Sequence, residues 1–395
     1  MARAAERATI AFHGLEDSAM GQVTISAIKA DVGGWVGHSD VHPEMLEAAE
    51  TRVREAIASG LLVDGRVGSC GDDVNLVLTH HRGADDEEVH RFAWDTFRVL
   101  TDVAERLHLY GAGQDLLAEA FSGNVRGAGP GVAEMDIEER PSEPFIVFAA
   151  DKTEPGAWNY PLYKMFCDPF NTAGLVIDPK MHQGFTLEVH DLVEHRRIFF
   201  DCPRDLYDLL VYIGAPSRYV IKHVFRSGER SDPVASTSTS RLSLIAGRYV
   251  GKDDPIMIVR CQSGLPAVGE VLEPFAQPHI VAGWMRGSHH GPLMPCALGA
   301  SQPARFDGPP RVVGMGFQLA DGRLVGPRDM LGNNSFDRAR AIALELADHL
   351  RRMGPFEPGR LSQDEMEYTT LPEVAERMAD RWEPMDDEPA RQPVA

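Results

Sequence analysis

Acidic side chains recur at the borders of apolar runs in this chain. Asp31 closes VTISAIKAD, Asp72 and Asp73 open VNLVLTH as the pair in GDD, and Asp151 closes FIVFAAD. In antiparallel strands the start of one lies beside the end of its neighbour, so these carboxylates are expected to converge on one rim of a sheet. Clustered carboxylates repel one another unless a cation compensates them. Hard divalent cations such as Mg2+ take such oxygens and keep waters that hold substrate phosphates. His38, in GGWVGHSD, stands on a glycine-rich loop able to fold back onto the same rim. Turn capping would account for any one of these aspartates alone; the set, with its adjacent pair, points to metal.

A second constellation lies in AGRYVGKDDPIMIVRCQ, where Tyr249 stands three residues before Lys252 and Asp253 and Asp254 follow it. A lysine condenses with a ketone only as the neutral amine. Adjacent carboxylates alone would hold it as an inert ammonium. Carboxylates that ligate Mg2+ have their charge offset, which frees the amine, and Tyr249 is placed to move a proton in a carbon–carbon bond step. In isolation the same residues would also make a solvated turn with an ordinary ion pair.

Phosphate calls for positive charge or bare backbone N–H groups. FSGNVRGAGPG, residues 121–131, carries four glycines and one arginine, a composition suited to cradling phosphate oxygens. No GK[ST] follows, so it is not a nucleotide-binding P-loop. Lys152 directly follows Asp151, so one loop offers a metal ligand and a phosphate cation side by side. Arg286 in GWMRGSHHGP and Asp307 in RFDGPP sit in further glycine-rich loops, and Tyr368 in EMEYTT precedes the last expected helix. Each of these alone also fits a structural role. His289 and His290 are adjacent and expected to point apart, so they are set aside as ligands.

Composition narrows the function classes. The 395 residues carry 59 acidic and 39 basic side chains, a formal net charge of −20. Such a surface repels nucleic acid and anionic membranes. A phosphate-bearing substrate then needs local cations, from lysine, arginine or bound metal. No apolar run reaches the roughly 18 residues that span a bilayer. MARAAERATIAFHG has no apolar core of a secretory signal, so a cytoplasmic location is expected. Five cysteines, none at CxxC spacing, are expected to be reduced and mostly buried rather than joined in disulfides or a zinc knot. There is no G-x-S-x-G, H-E-x-x-H or dinucleotide fingerprint.

The elements that must position these groups follow from periodicity. Strands are expected over 23–31, 74–80, 145–151, 219–226, 255–260 and 313–319, with a short apolar run over 61–67 before GDD. Helices are expected over 43–59, 86–107, 205–213 and 336–353. The stretch 153–184 reads as ordered loop, and SDPVASTSTS (231–240) as the most linker-like segment, though without a domain boundary. Residues 1–22 form an extension with no clear period, 23–382 a single catalytic domain and 383–395 a loose acidic tail. Mixed strands and helices without repeats make one layered α/β domain.

Taken together, ISAIKADVGG, GHSDVHP, GDDVNLVLTH, YGAGQDLL, FSGNVRGAGPGVAEM, ADKTEPGAWN, PLYKMFCDPFNTAGLVIDP, IAGRYVGKDDP, GWMRGSHHGPLMP, RFDGPPR and EMEYTTLP resemble the bifunctional fructose-1,6-bisphosphate aldolase/phosphatases of archaea and deep-branching bacteria. The resemblance runs from about Val23 to about Trp382. It implies an α/β (α+β) four-layer α-β-β-α sandwich assembled as a homo-octamer. It also implies a gluconeogenic enzyme that condenses dihydroxyacetone phosphate with glyceraldehyde 3-phosphate, then removes the 1-phosphate of the product. By the same resemblance Lys252 forms the Schiff base and Tyr249 is the general acid/base. Asp31, His38, Asp72, Asp73, Gln114, Asp151, Asp253 and Asp254 hold several Mg2+ ions or their waters. Tyr110, Gly123, Asn124, Lys152, Gln262, Arg286, Asp307 and Tyr368, with His38, grip the sugar phosphate. Two other readings remain open at this point: a phosphatase without the aldol step, and a non-catalytic sugar-phosphate sensor.

Overall fold

The computed structural model describes residues 21–116, 129–242, 254–287, 289–302, 305, 307–352 and 370–385. Its layering is set by alternation along the first strand. In β1 (Gln22–Asp31), Val23, Ile25 and Ala27 join one apolar cluster while Ile28 and Ala30 join another, so both faces are covered. With β2 (Asp64–Cys70), β3 (Asp73–His80), β4 (Gly131–Glu138) and β10 (Ser240–Arg241) it forms a sheet of order β10-β4-β1-β3-β2. Helices α1 (Pro43–Ala58) and α2 (Glu87–Arg106) cover the outer face with Met45, Ala49, Val53, Phe92, Phe97 and Leu100. Asp86 caps α2, accepting from the backbone N–H of Glu88 and Val89, as the sequence position of an acidic N-cap requires.

The second sheet is larger. It contains β5 (Glu143–Asp151), β6 (Phe185–Asp191), β7 (Arg196–Cys202), β8 (Tyr219–Arg226), β9 (Pro233–Thr237), β11 (Ile256–Arg260), β14 (Met294–Pro295), β15 (Arg311–Ala320), β16 (Arg323–Asp329) and β17 (Glu383–Pro384). Their order is β14-β15-β5-β11-β9-β8-β6-β7-β17, with β16 paired to β15. β12 (Ile280–Gly283) and β13 (His289–Pro292) form a separate pair around the short helix α7 (Trp284–Gly287). Ile25, Ala27, Val77 and Met135 of the first sheet meet Val147, Ala149, Ile258 and Val313 of the second. The opposite face of the large sheet is covered from α3 (Asn159–Cys167), α4 (Gly174–Ile177), α5 (Leu206–Ile213), α6 (Val268–Leu272) and α9 (Leu371–Arg377). Helix α8 (Asp337–Arg352) packs at the edge, against Trp284. The result is helices, sheet, sheet, helices: the expected four layers.

Three stretches depart from expectation. Residues 153–184 are not loop: a 3-10 turn at Pro155–Trp158, α3 and α4 bury Trp158, Leu162, Met165 and Phe166 in the core. Their aromatic and proline content hid short helices. The linker-like 231–240 holds β9, buried throughout in the middle of the large sheet. Its hydroxyls lowered the apolar signal; two of them serve the sheet, Thr237 Oγ1 donating to the Ile221 carbonyl at 2.8 Å and Ser238 Oγ accepting from the Ile256 N–H at 2.9 Å. The apolar run at 61–67 only partly coincides with β2, which starts at Asp64 and ends at Cys70. Residues 1–20 and 386–395 lie outside the described residues, and Glu383–Pro384 pairs with β7.

Candidate active site

The antiparallel pairing of β1 with β3 sets Asp31 directly opposite Asp73. Asp72 lies in the turn just before β3, and Asp151 ends β5 in the other sheet. The four carboxylates therefore meet where the two sheets share a rim. Oxygens of Asp72, Asp73 and Asp151 lie within 4.8 Å of one another, and Asp31, His38 and Asp72 make a second such group. The loop after β1 returns as expected: His38 Nδ1 is 2.7 Å from Asp72 Oδ2 and 3.8 Å from Asp31 Oδ2.

Cations hold this cluster together. Lys29, fully buried two residues before the end of β1, donates to Asp73 Oδ2 at 2.8 Å and to the Ala150 carbonyl at 3.0 Å, tying the two sheets together beneath the carboxylates. Burial alone would depress its ammonium pKa, but the Asp73 charge reverses that and raises it. Lys152 Nζ lies 3.0 Å from both Asp72 Oδ1 and Asp151 Oδ1. Buried Arg311 pairs with the other oxygen of Asp151. The two carboxyls nearest His38 are driven apart. Burial and the charges of Asp72, Asp73 and Asp115 push Asp31 well up, whereas Asp72, despite burial, is held well below the usual range by Lys152 and His38.

Backbone geometry is fitted to the cluster. Gly71 has φ +58°, and a Cβ there would fall 2.3 Å from the Asp151 carboxyl carbon, so only glycine leaves room. Its N–H donates to Ser301 Oγ at 3.1 Å. Asp115 accepts from the Asp31 N–H at 2.8 Å and fixes the end of β1. Carboxylate oxygens closing around a side-chain-free turn are of the type that a hard divalent cation takes, so this cluster could hold one.

Other expected site residues fall around this rim. Tyr110 packs edge-on against His38 at 4.7 Å between ring centroids, and its backbone pairs with Gly34. Gln114 Oε1 and the His38 ring approach the same point above Gly111. Asp254 clamps Thr153 in both directions: its Oδ1 accepts from the Thr153 N–H at 2.8 Å, and its own N–H donates to the Thr153 carbonyl. Thr153 also bonds the Ala282 carbonyl, which brings the β12–α7 turn carrying Arg286 alongside. The Asp307 carbonyl is 3.5 Å from Arg311 Nη2. Gln262 is not brought here. β11 runs antiparallel to β5 with Arg260 opposite Phe145, so Gln262 lies at the far end of the strand from Asp151. Gly123, Asn124, Tyr249, Lys252, Asp253 and Tyr368 lie outside the described residues, as does the Arg286 side chain.

The sequence reading missed Lys29, Asp115, Arg311, Gly71 and Ser301. Lys29 had a signal, a lone cation in a strand apolar on both faces. Asp115 stood beside Gln114 in YGAGQDLL. A third acidic group, Asp85, His90 and Glu134, gathers at Glu134 of β4, which stands opposite Ser26 in the middle of β1. There Glu134 is occupied by Ser26, His90 and the Asp85 N–H.

A family model described as fructose-1,6-bisphosphatase matches residues 22–383. The chain is 63% identical over 374 residues to the fructose-1,6-bisphosphate aldolase/phosphatase of Moorella thermoacetica, covering 95% of this chain and 98% of that protein. It is 57% identical over 365 residues to the protein of that name from Methanothermobacter marburgensis, covering 92% and 100%. To the one from Thermococcus kodakarensis it is 58% identical over 370 residues, covering 92% and 99%.

Proposed function

Because this chain belongs to the fructose-1,6-bisphosphatase family, and to its aldolase/phosphatase members, we propose that it condenses dihydroxyacetone phosphate with glyceraldehyde 3-phosphate and hydrolyses the resulting fructose 1,6-bisphosphate to fructose 6-phosphate and phosphate. The observation that carries this reading is the meeting of Asp31, Asp72, Asp73 and Asp151 beside Lys152, at the point where Asp254 anchors the chain that follows Lys252. The reaction runs in the gluconeogenic direction, in the cytoplasm, in a homo-octamer.

Asp31, His38, Asp72, Asp73, Gln114, Asp151, Asp253 and Asp254 would hold Mg2+ directly or through water. Mg2+ bound there supplies Lewis-acid polarisation of the phosphoryl group and an activated water. Lys152, Arg286, Tyr110, Gly123, Asn124, Asp307 and Tyr368 would bind and orient the sugar phosphate. The Lys252 amine attacks the ketone of dihydroxyacetone phosphate, forming an imine and releasing water. Tyr249 takes and returns the proton of the carbon–carbon step.

Lys252→Ala is expected to abolish condensation while retaining much phosphate release from fructose 1,6-bisphosphate. Borohydride with dihydroxyacetone phosphate is expected to fix a triose adduct on Lys252, read by peptide mass spectrometry. Condensation surviving in Lys252→Ala would sink the Schiff-base assignment.

A further inference from the structure

Lys152 grips the same oxygens that make up the candidate metal cluster. Its Nζ lies 3.0 Å from Asp72 Oδ1 and 3.0 Å from Asp151 Oδ1. Asp72, Asp73 and Asp151 form one of the two ligand groups at this rim. A divalent ion held by those oxygens at about 2.1 Å would compete with the ammonium for the same lone pairs. The cations around the cluster differ in freedom. The Lys29 and Arg311 side chains are sealed, at 0% and 1% exposure, whereas Lys152 retains 17%. The Lys152 backbone is held at φ +61°, and the next residue is clamped by Asp254. Any exchange at this position is therefore a swing of the side chain about a fixed backbone.

We propose that Lys152 is an exchangeable counter-cation: it bridges Asp72 and Asp151, yields them to an arriving divalent ion, and so turns its ammonium toward the phosphate of the sugar substrate. Metal and phosphate then bind with positive coupling, each strengthening the other by one and the same factor. This rests on the metal-dependent sugar-phosphate reading above. It adds an order of events: cation first, phosphate second.

The test is Mn2+ binding to the full chain, read from the EPR signal of free Mn2+, with and without inorganic phosphate. In the wild type, phosphate is expected to tighten Mn2+ binding, by about 5-fold or more. In Lys152→Met, Mn2+ alone is expected to bind about 3- to 5-fold tighter than in the wild type, the weight of a partly exposed ion pair, and the coupling to phosphate should vanish. Lys152→Arg keeps a competing cation and should show no such gain. Unchanged or weaker Mn2+ binding in Lys152→Met overturns the exchange. Absence of saturable Mn2+ binding in the wild type would instead overturn the metal reading itself. Should the variants fail to fold, acetic anhydride labelling of the wild type serves: Mn2+ should raise acetylation of Lys152, and a constant or falling rate overturns the proposal.

Discussion

Two residues without ligand chemistry of their own decide whether the carboxylates can gather. Lys29 supplies a permanent positive charge where neither water nor substrate reaches, and binds one oxygen of Asp73 to the backbone just before Asp151. Gly71 supplies space. Alanine there combines an unfavourable positive φ with a collision against Asp151. Gly71→Ala is expected to cost about 1–3 kcal/mol of stability, the usual range for backbone strain of this kind. It should also weaken divalent-ion binding, since Asp151 must move. Urea unfolding and Mn2+ titration of the variant check both. A variant with wild-type Mn2+ affinity would show that the Asp151 carboxyl is not held where the ion needs it.

At the level of elements, α2 is tied to the first sheet by a buried pair, His90 Nε2 to Glu134 Oε1 at 3.0 Å, where Glu134 stands opposite Ser26 of β1. Burial depresses the His90 imidazole, but the Glu134 hydrogen bond and charge raise its pKa above the usual 6.5. Glu134 resists its own burial through His90 and lies below its usual 4.5. The histidine contribution is therefore complete below about pH 6.5 and fades as pH rises through its raised value, while the Glu134 contribution fades as pH falls through its lowered one. His90→Gln is expected to cost about 1.5–3 kcal/mol near pH 5.5, the range for a charge-assisted hydrogen bond, and distinctly less at pH 9. Urea melts at the two pH values measure this; an equal cost would show that the imidazole stays neutral.

Much of the element plan was legible in the sequence. Strands that alternate between two buried faces, as β1 and β3 do, keep a strong apolar signal, and the antiparallel register that pairs Asp31 with Asp73 follows from their ends. The segments that escaped were stabilised by contacts that leave no local period. β9 is polar in composition yet central. The turn and helices after Thr153 are built on Pro155 and Trp158. The same holds at the site: aspartates at strand ends were readable, whereas Arg311 and Ser301 arrive from residues distant in sequence. Gln262 shows the converse, a motif residue that the register of β11 carries away from the rim.

Across the whole molecule, the acidic excess makes the rim a place where charge must be balanced locally. The carboxylates come from both sheets, so a site for an ion among them would exist only in the folded state. Mg2+ or Mn2+ at about 100 times its dissociation constant is then expected to add roughly 2.7 kcal/mol of stability, and chelation to remove it. A thermal melt with and without EDTA checks this; a midpoint indifferent to both would mean that the resident lysines and arginine complete the cluster by themselves.

The clamp between Asp254 and Thr153 acts as a leash. Lys252 lies two residues before the clamp, so its Cα stays within about 7.6 Å of that of Asp254 in every conformation the chain can adopt. Under the proposed Schiff-base assignment, an intermediate made at the Lys252 amine would form within reach of the carboxylate rim. It need not diffuse through a dilute cell to find a second enzyme.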